Sequence, residues 1–134
     1  MIDQAHWVAF CERALAAIAS PDGGAGVTVA FLSDRAMREL NQRFRGRRET
    51  TDVLSFPEEQ HPFEQATEEG RRLGDVIISV ERAAAQAIEH GLTLHDELAQ
   101  LILHGLLHLH GYDHAADHGE MNRMELKLRR RLRI

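Results

Sequence analysis

The chain has 134 residues and a single cysteine, Cys11, so no disulfide can form within it. That suits a reducing compartment, and the cytoplasm is the expected location. Long hydrophobic runs are missing too. No stretch approaches the roughly 18 apolar residues that a membrane span needs. The small-residue patch Ala14 to Ser20 follows Asp3, Glu12 and Arg13, without the basic segment that opens a secretory leader. Positive charge is in deficit, with 16 Lys and Arg against 21 Asp and Glu and a formal net charge of −5. This excludes a uniformly basic nucleic-acid binder, which would draw on Lys and Arg near phosphates. The chain also lacks internal repeats and any linker that would divide it. One domain over residues 1–134 is expected, in the common single-domain size range.

What charge there is lies unevenly. Arg43, Arg45, Arg47 and Arg48 cluster in one short segment, and Lys127, Arg129, Arg130, Arg131 and Arg133 close the chain. Acid collects at Glu58, Glu59, Glu64, Glu68 and Glu69. Basic patches on an acidic protein can bind phosphates, weakly and in a salt-sensitive way. The C-terminal run has a plainer reading as a helix end, where cations complement the macrodipole.

Apolar spacing gives alternating elements. Trp7, Cys11, Ala14, Leu15 and Ile18 recur at helical spacing over residues 3–19, before the break at Pro21-Asp22-Gly23-Gly24. Val27 to Leu32 reads as a strand. Ser33 then reads as the N-cap of a helix that turns Met37, Leu40 and Phe44 inward. Residues 51–57 read as a strand ending at Pro57, and Glu58 to Gly70 as a loop. Val76 to Val80 is apolar on both faces, as a central strand should be. A helix over residues 81–89 follows, closed by Gly91. Thr93 caps the next, with Leu98, Ile102 and Leu106 facing the core, and a last helix spans residues 117–131. The expected fold is α+β: a small mixed sheet covered by helices, with one helix packed hard against it.

That packed helix ends in the most informative segment, His104-Gly105-Leu106-Leu107-His108-Leu109-His110-Gly111-Tyr112-Asp113-His114. Residues four apart on a helix share a face, so His104 and His108 can reach one metal ion. Gly111 can end the helix at positive φ and let the chain turn back. His114 beyond the turn can then supply a third imidazole. Three nitrogen ligands with an open fourth position are the usual form of a catalytic zinc site. Imidazole also suits nickel and copper, so ligand type alone does not exclude them. The spacing is that of the metzincin zinc proteases. Those enzymes place a Glu general base directly after the first His, where this chain has Gly105. A hydrolase other than an ordinary peptidase is therefore expected.

The His104–His114 segment resembles the signature of the YbeY family of endoribonucleases, the rRNA maturation factors. Thr51-Asp52-Val53-Leu54-Ser55-Phe56-Pro57 and Leu73-Gly74-Asp75-Val76-Ile77-Ile78-Ser79 look like further segments of that family, in its order. The likeness runs from about Val27 to Met124. It implies a zinc-dependent, single-strand-specific endoribonuclease in small-subunit rRNA 3′ end processing and ribosome quality control. Its partners would be single-stranded RNA, rRNA and the ribosome, with no membrane involved. It also implies a strand ahead of the first helix, which leaves the strand count open in a chain that begins almost at that helix.

By the same resemblance, Arg45 is the cation that meets charge growing on phosphorus. Arg suits this role because its planar fork grips two oxygens. Arg43, Arg47 and Arg48 are candidates for RNA backbone contacts. Ser55 is a candidate for the cleft wall, beside its ordinary reading as a sheet hydroxyl. His110 is expected to be exposed, pointing away from the ligand face, and Tyr112 to pack beneath the site. Asp113 could orient a ligand imidazole or stabilise the turn. Asp96 could cap the ligand helix or support a histidine, with the cap as its default reading, and His118 is the rival third ligand. A zinc peptidase or other metal hydrolase, and a non-catalytic zinc-containing ribosome assembly factor, remain as alternatives.

Overall fold

The computed structural model describes residues 3–18, 26–58, 72–112 and 118–134. The described elements run in order as α1 (Gln4–Ile18), β1 (Gly26–Leu32), α2 (Asp34–Arg45), β2 (Val53–Pro57) and β3 (Arg72–Ser79). Helices α3 (Val80–His90), α4 (Leu94–Leu109) and α5 (Glu120–Leu132) follow. The architecture is α+β, as the sequence pattern implies. The sheet has strand order β1-β3-β2, with β1 parallel and β2 antiparallel to β3.

The central place of β3 follows from its composition. Val76, Ile77 and Ile78 are wholly buried, so both faces of the strand need cover. On one face, Val76 and Ile78 join Trp7 and Phe10 of α1, Ile102, Leu103 and Leu106 of α4, and Met121 of α5. On the other, Ile77 packs with Met37 of α2 and with Leu54 and Phe56 of β2. Burying an apolar side chain of this size contributes about 1.5–3 kcal/mol relative to leaving it exposed. The alternation in β2 follows the pleat: Leu54 and Phe56 are buried, while Val53, Ser55 and Pro57 turn to the other side.

Short polar side chains set the helix starts. Ser33 Oγ accepts from the Ala36 N–H at 3.1 Å, and Thr93 Oγ1 from the Asp96 N–H at 3.0 Å. Ser79 Oγ accepts from the Arg82 N–H at 3.1 Å and also donates to Asp34, which ties α3 to α2.

Several expectations are corrected. The central strand begins at Arg72, and Val80 opens α3 instead of ending the strand. Phe44 is 38% exposed, because it lies on the rim of α2 with its ring edge against Phe56 at 5.6 Å. Asp96 is not the cap of α4, since Thr93 holds that place. Asp96 instead faces His95 Nδ1 at 3.2 Å. The acidic loop lies outside the described residues from residue 59 onward, as does the break at Pro21–Gly24.

Candidate metal centre

Helix α4 carries the first two predicted ligands to the mouth of a cleft. Its buried face presents Leu98, Ile102 and Leu106 to the core, and His104 and His108 emerge beside that face, partly exposed. Their Nε2 atoms stand 3.1 Å apart, with ring centroids at 4.7 Å. Gly111 ends the helix at φ 95°, a left-handed conformation that glycine adopts without strain. The turn brings the Tyr112 carbonyl back to His108 Nδ1 at 3.0 Å. Glu125 of α5 meets His104 Nδ1, also at 3.0 Å.

These partners fix the chemistry of both rings. A carbonyl oxygen and a carboxylate only accept, so Nδ1 carries the ring proton in each histidine. In the neutral rings Nε2 of each then faces the other, an arrangement that a cation or a proton between the two nitrogens would suit. Two nitrogens about 2.0–2.1 Å from one tetrahedral ion stand roughly 3.3 Å apart, so the observed spacing is within a few tenths of a chelating one. The donor set therefore fits zinc, and the acid and carbonyl behind it are the usual outer partners of metal-binding imidazoles.

Glu125 is buried, and burial pushes its carboxyl up. Hydrogen bonding and charge from His104 and then from Arg129 outweigh that and hold it below the ordinary carboxylate range. The Arg129 Nη2–Oε2 distance is 2.6 Å. Charge-assisted bonds of this kind keep Glu125 ionised and aimed at the imidazole.

His114 and Asp113 lie outside the described residues. Among the described residues no group of three candidate ligands forms. His118 is exposed, and its backbone is engaged with Glu120 and Arg123. His110 differs from expectation: it is half-buried, and its Nδ1 bonds back to the Leu106 carbonyl at 2.7 Å across the last turn of α4. Tyr112 packs against the main core, as expected, and contributes its carbonyl as well.

Gly105 explains the close fit of α4 on the sheet. A Cβ there would lie 2.6 Å from Val76 Cγ1 and 3.2 Å from Ser55 Oγ. The sheet fills the space that a side chain at this position would need. A glutamate after the first histidine, the general base of the metzincin pattern, has no room here.

The cleft beside the histidines encloses about 610 Å³. Its walls include Arg45, Asp52, Val53 and Ser55 opposite His104 and His108. Arg45 ends α2, and Gly46 caps that helix at φ 69°. The exposed guanidinium lies 5.4 Å from the Phe56 ring centroid, and its Nη2 donates to the Ser55 carbonyl at 2.9 Å. Ser55 Oγ donates in turn to the Gly105 carbonyl at 3.3 Å. Ser55 thus joins the arginine to the ligand helix as well as lining the wall.

An adjoining hollow of about 530 Å³ shares Arg45 and adds Arg47, Thr50 and Thr51. Arg43 lies over the Phe44 ring at 5.4 Å, and Arg43, Arg47 and Arg48 are all exposed.

Sequence reasoning missed Glu125. It had a signal: Met121, Glu125, Leu128 and Leu132 are the buried positions of α5, so one acid occupies an otherwise apolar stripe. An acid on a core-facing stripe needs a buried partner.

Comparison with known proteins places the chain in a family. The profile of the family described as Endoribonuclease YbeY matches residues 1–133. Endoribonuclease YbeY of Nautilia profundicola is 41% identical over 108 residues, 81% of this chain and 73% of that protein. Endoribonuclease YbeY of Roseiflexus castenholzii is 40% identical over 122 residues, 88% of this chain and 76% of its own. The solution structure of TM1509 from Thermotoga maritima superposes with a TM-score of 0.64 at 28% identity. It covers 98% of this chain and 85% of that one. The fold and the paired histidines define an α+β protein with a histidine-lined cleft. The chain belongs to the YbeY family.

Proposed function

We propose that this chain is a zinc-dependent, single-strand-specific endoribonuclease acting in rRNA maturation and ribosome quality control in the cytoplasm. Residues 1–134 would form one hydrolase domain. Its relatives are named endoribonucleases, which supports an RNA substrate. Among the described residues no helix is long and apolar enough to cross a membrane. The observation that carries the reading is the shared cleft: Arg45 faces the same space as His104 and His108.

His104, His108 and His114 would hold the ion. Bound zinc would bring a water to a pKa of about 7 and polarise a phosphoryl oxygen. Glu125 and the Tyr112 carbonyl keep both described rings in the tautomer that offers Nε2. Arg45, anchored on one side by the Ser55 carbonyl, presents its remaining N–H groups to phosphate oxygens in the cleft. Asp52 of the same wall accepts from the Val53 N–H at 2.8 Å and so stays oriented at the cleft edge. Arg43, Arg47 and Arg48 would track the flanking backbone. The filled space at Gly105 weighs against the peptidase alternative.

The test is cleavage of a single-stranded RNA by the purified, metal-loaded protein, beside the same RNA in a duplex and a peptide library. Cleavage confined to the single strand, and abolished by chelation, supports the proposal. Peptide hydrolysis without RNA cleavage would replace it with the peptidase. Tight zinc with neither activity would favour a non-catalytic assembly factor.

A further inference from the structure

We propose that His6 and His95 form a second cation site, suited to a late first-row divalent ion such as copper(II) or zinc. His6 lies on α1 and His95 in the first turn of α4, 89 positions apart, yet their Nε2 atoms are 2.7 Å from each other. His95 is nine residues before His104 on the same helix, roughly 13 Å along its axis. The site is therefore separate from the cleft.

One ring of this pair repeats the chemistry of the cleft pair. Asp96 Oδ1 faces His95 Nδ1 at 3.2 Å, and a carboxylate only accepts. His95 Nδ1 therefore carries the ring proton, and its Nε2 lone pair points at His6. A carboxylate behind one imidazole and a second imidazole in front are the elements of a metal-binding histidine with its outer partner. An opening of about half an ångström would bring the two nitrogens from 2.7 Å to the roughly 3.3 Å of a tetrahedral chelate.

Trp7 holds both rings in place. It is 7% exposed, stacks on His95 with centroids 5.0 Å apart, and meets His6 edge-on at 4.8 Å. The histidines themselves are exposed, with the His95 side chain at 49%, so an ion can enter from solvent. The positive end of α4 opposes a cation here. Asp96 and Glu97 in that first turn oppose this field, as does Asp3, whose Oδ1 accepts from the His6 N–H at 3.3 Å. Among the described residues two imidazoles are the ligands, and water completes the shell. Binding is therefore weaker than at a three-histidine centre.

The chain has a single tryptophan, Trp7, so the site carries its own reporter. The experiment titrates copper(II) chloride into the protein as purified, after its metal content has been counted. Trp7 fluorescence is followed alongside zinc release, read with a chromogenic dye. Quenching should saturate at one copper per chain without zinc release. His6→Gln and His95→Gln should each move the midpoint at least tenfold, and Asp96→Asn by about tenfold, as loss of an outer partner does. Circular dichroism establishes that the variants are folded, and either histidine variant alone suffices. Identical curves for wild type and variants would overturn the proposal. So would quenching that tracks zinc release, or quenching only at the excess that quenches free tryptophan. Those results would leave the pair as a simple N–H···N hydrogen bond.

Discussion

Glu125, buried on α5, accepts a hydrogen bond from His104 Nδ1 at 3.0 Å and so aims the imidazole from 21 residues away. The ligand helix supplies the ring, and the last helix supplies its orientation. Glu125→Gln should fold and lose about 10–100-fold in metal affinity, because an outer partner raises ligand basicity and fixes the tautomer. Glu125→Ala should lose stability as well, since it strips Arg129 of its carboxylate partner. Competitive chelator titration and thermal melts separate the two effects. Unchanged affinity in Glu125→Gln would remove this residue from the site.

The ligand set itself is tested by metal analysis. His104→Ala, His108→Ala and His114→Ala should each lose most bound metal, whereas His118→Ala should keep it. Full occupancy in the His114 variant with loss in the His118 variant would exchange those two residues.

Gly105→Ala should be costly although alanine is the better helix former. Its Cβ would meet Val76 Cγ1 at 2.6 Å, and overpacking of this kind costs about 1–3 kcal/mol. Chemical denaturation should show that loss. Pairing it with Val76→Ala should recover part of it, and a neutral Gly105→Ala would show that α4 does not lie this close to the sheet.

Arg45→Ala should keep the metal and the fold, since the guanidinium is exposed, yet lose about 10²–10³-fold in RNA cleavage, the usual loss for one group that stabilises transition-state charge. Arg45→Lys should rescue poorly, because a point charge lacks the fork that can hold Ser55 and a phosphate together. Binding should also fall with salt. A three-phosphate footprint gives a log–log slope of about −2 on a single strand, and replacing Arg43, Arg47 and Arg48 by Gln should flatten it.

Cys11 offers a prediction in pH. Burial, and then the charge of Glu12, push its thiol up from 9.0 to about 11. The thiolate is the reactive form, so native protein at pH 8 should label slowly with a thiol reagent and unfolded protein quickly. A folded value raised above the unfolded one gives stability that is complete below pH 9 and is lost as pH rises toward 11. Denaturation of Cys11→Ser across that window should lack this slope.

Local signals in the chain are enough to place most elements and half of the site. Ser33 and Thr93 cap helices where their side chains can reach a backbone N–H, and the i, i+4 spacing puts His104 beside His108. Those features depend on neighbours within a few residues. Glu125, the Ser55–Arg45 bond and the His6–His95 pair depend on which helices meet, which the order of residues does not state. His110 departs from its expected exposure because helical spacing gives a direction but not the fold-back of a ring onto the preceding turn.

Arg45 and His104 are anchored in chemically different ways. The arginine leans on a main-chain carbonyl, which every amino acid at position 55 would supply. The histidine leans on a carboxylate that only Glu125 provides. Sequence drift in the cleft wall can therefore leave the guanidinium aimed as it is. A single exchange on α5, far along the chain, can retune the imidazole. If the proposed function holds, variation among homologues in ion preference should accordingly be sought in the last helix, and variation in RNA preference in the loop after α2.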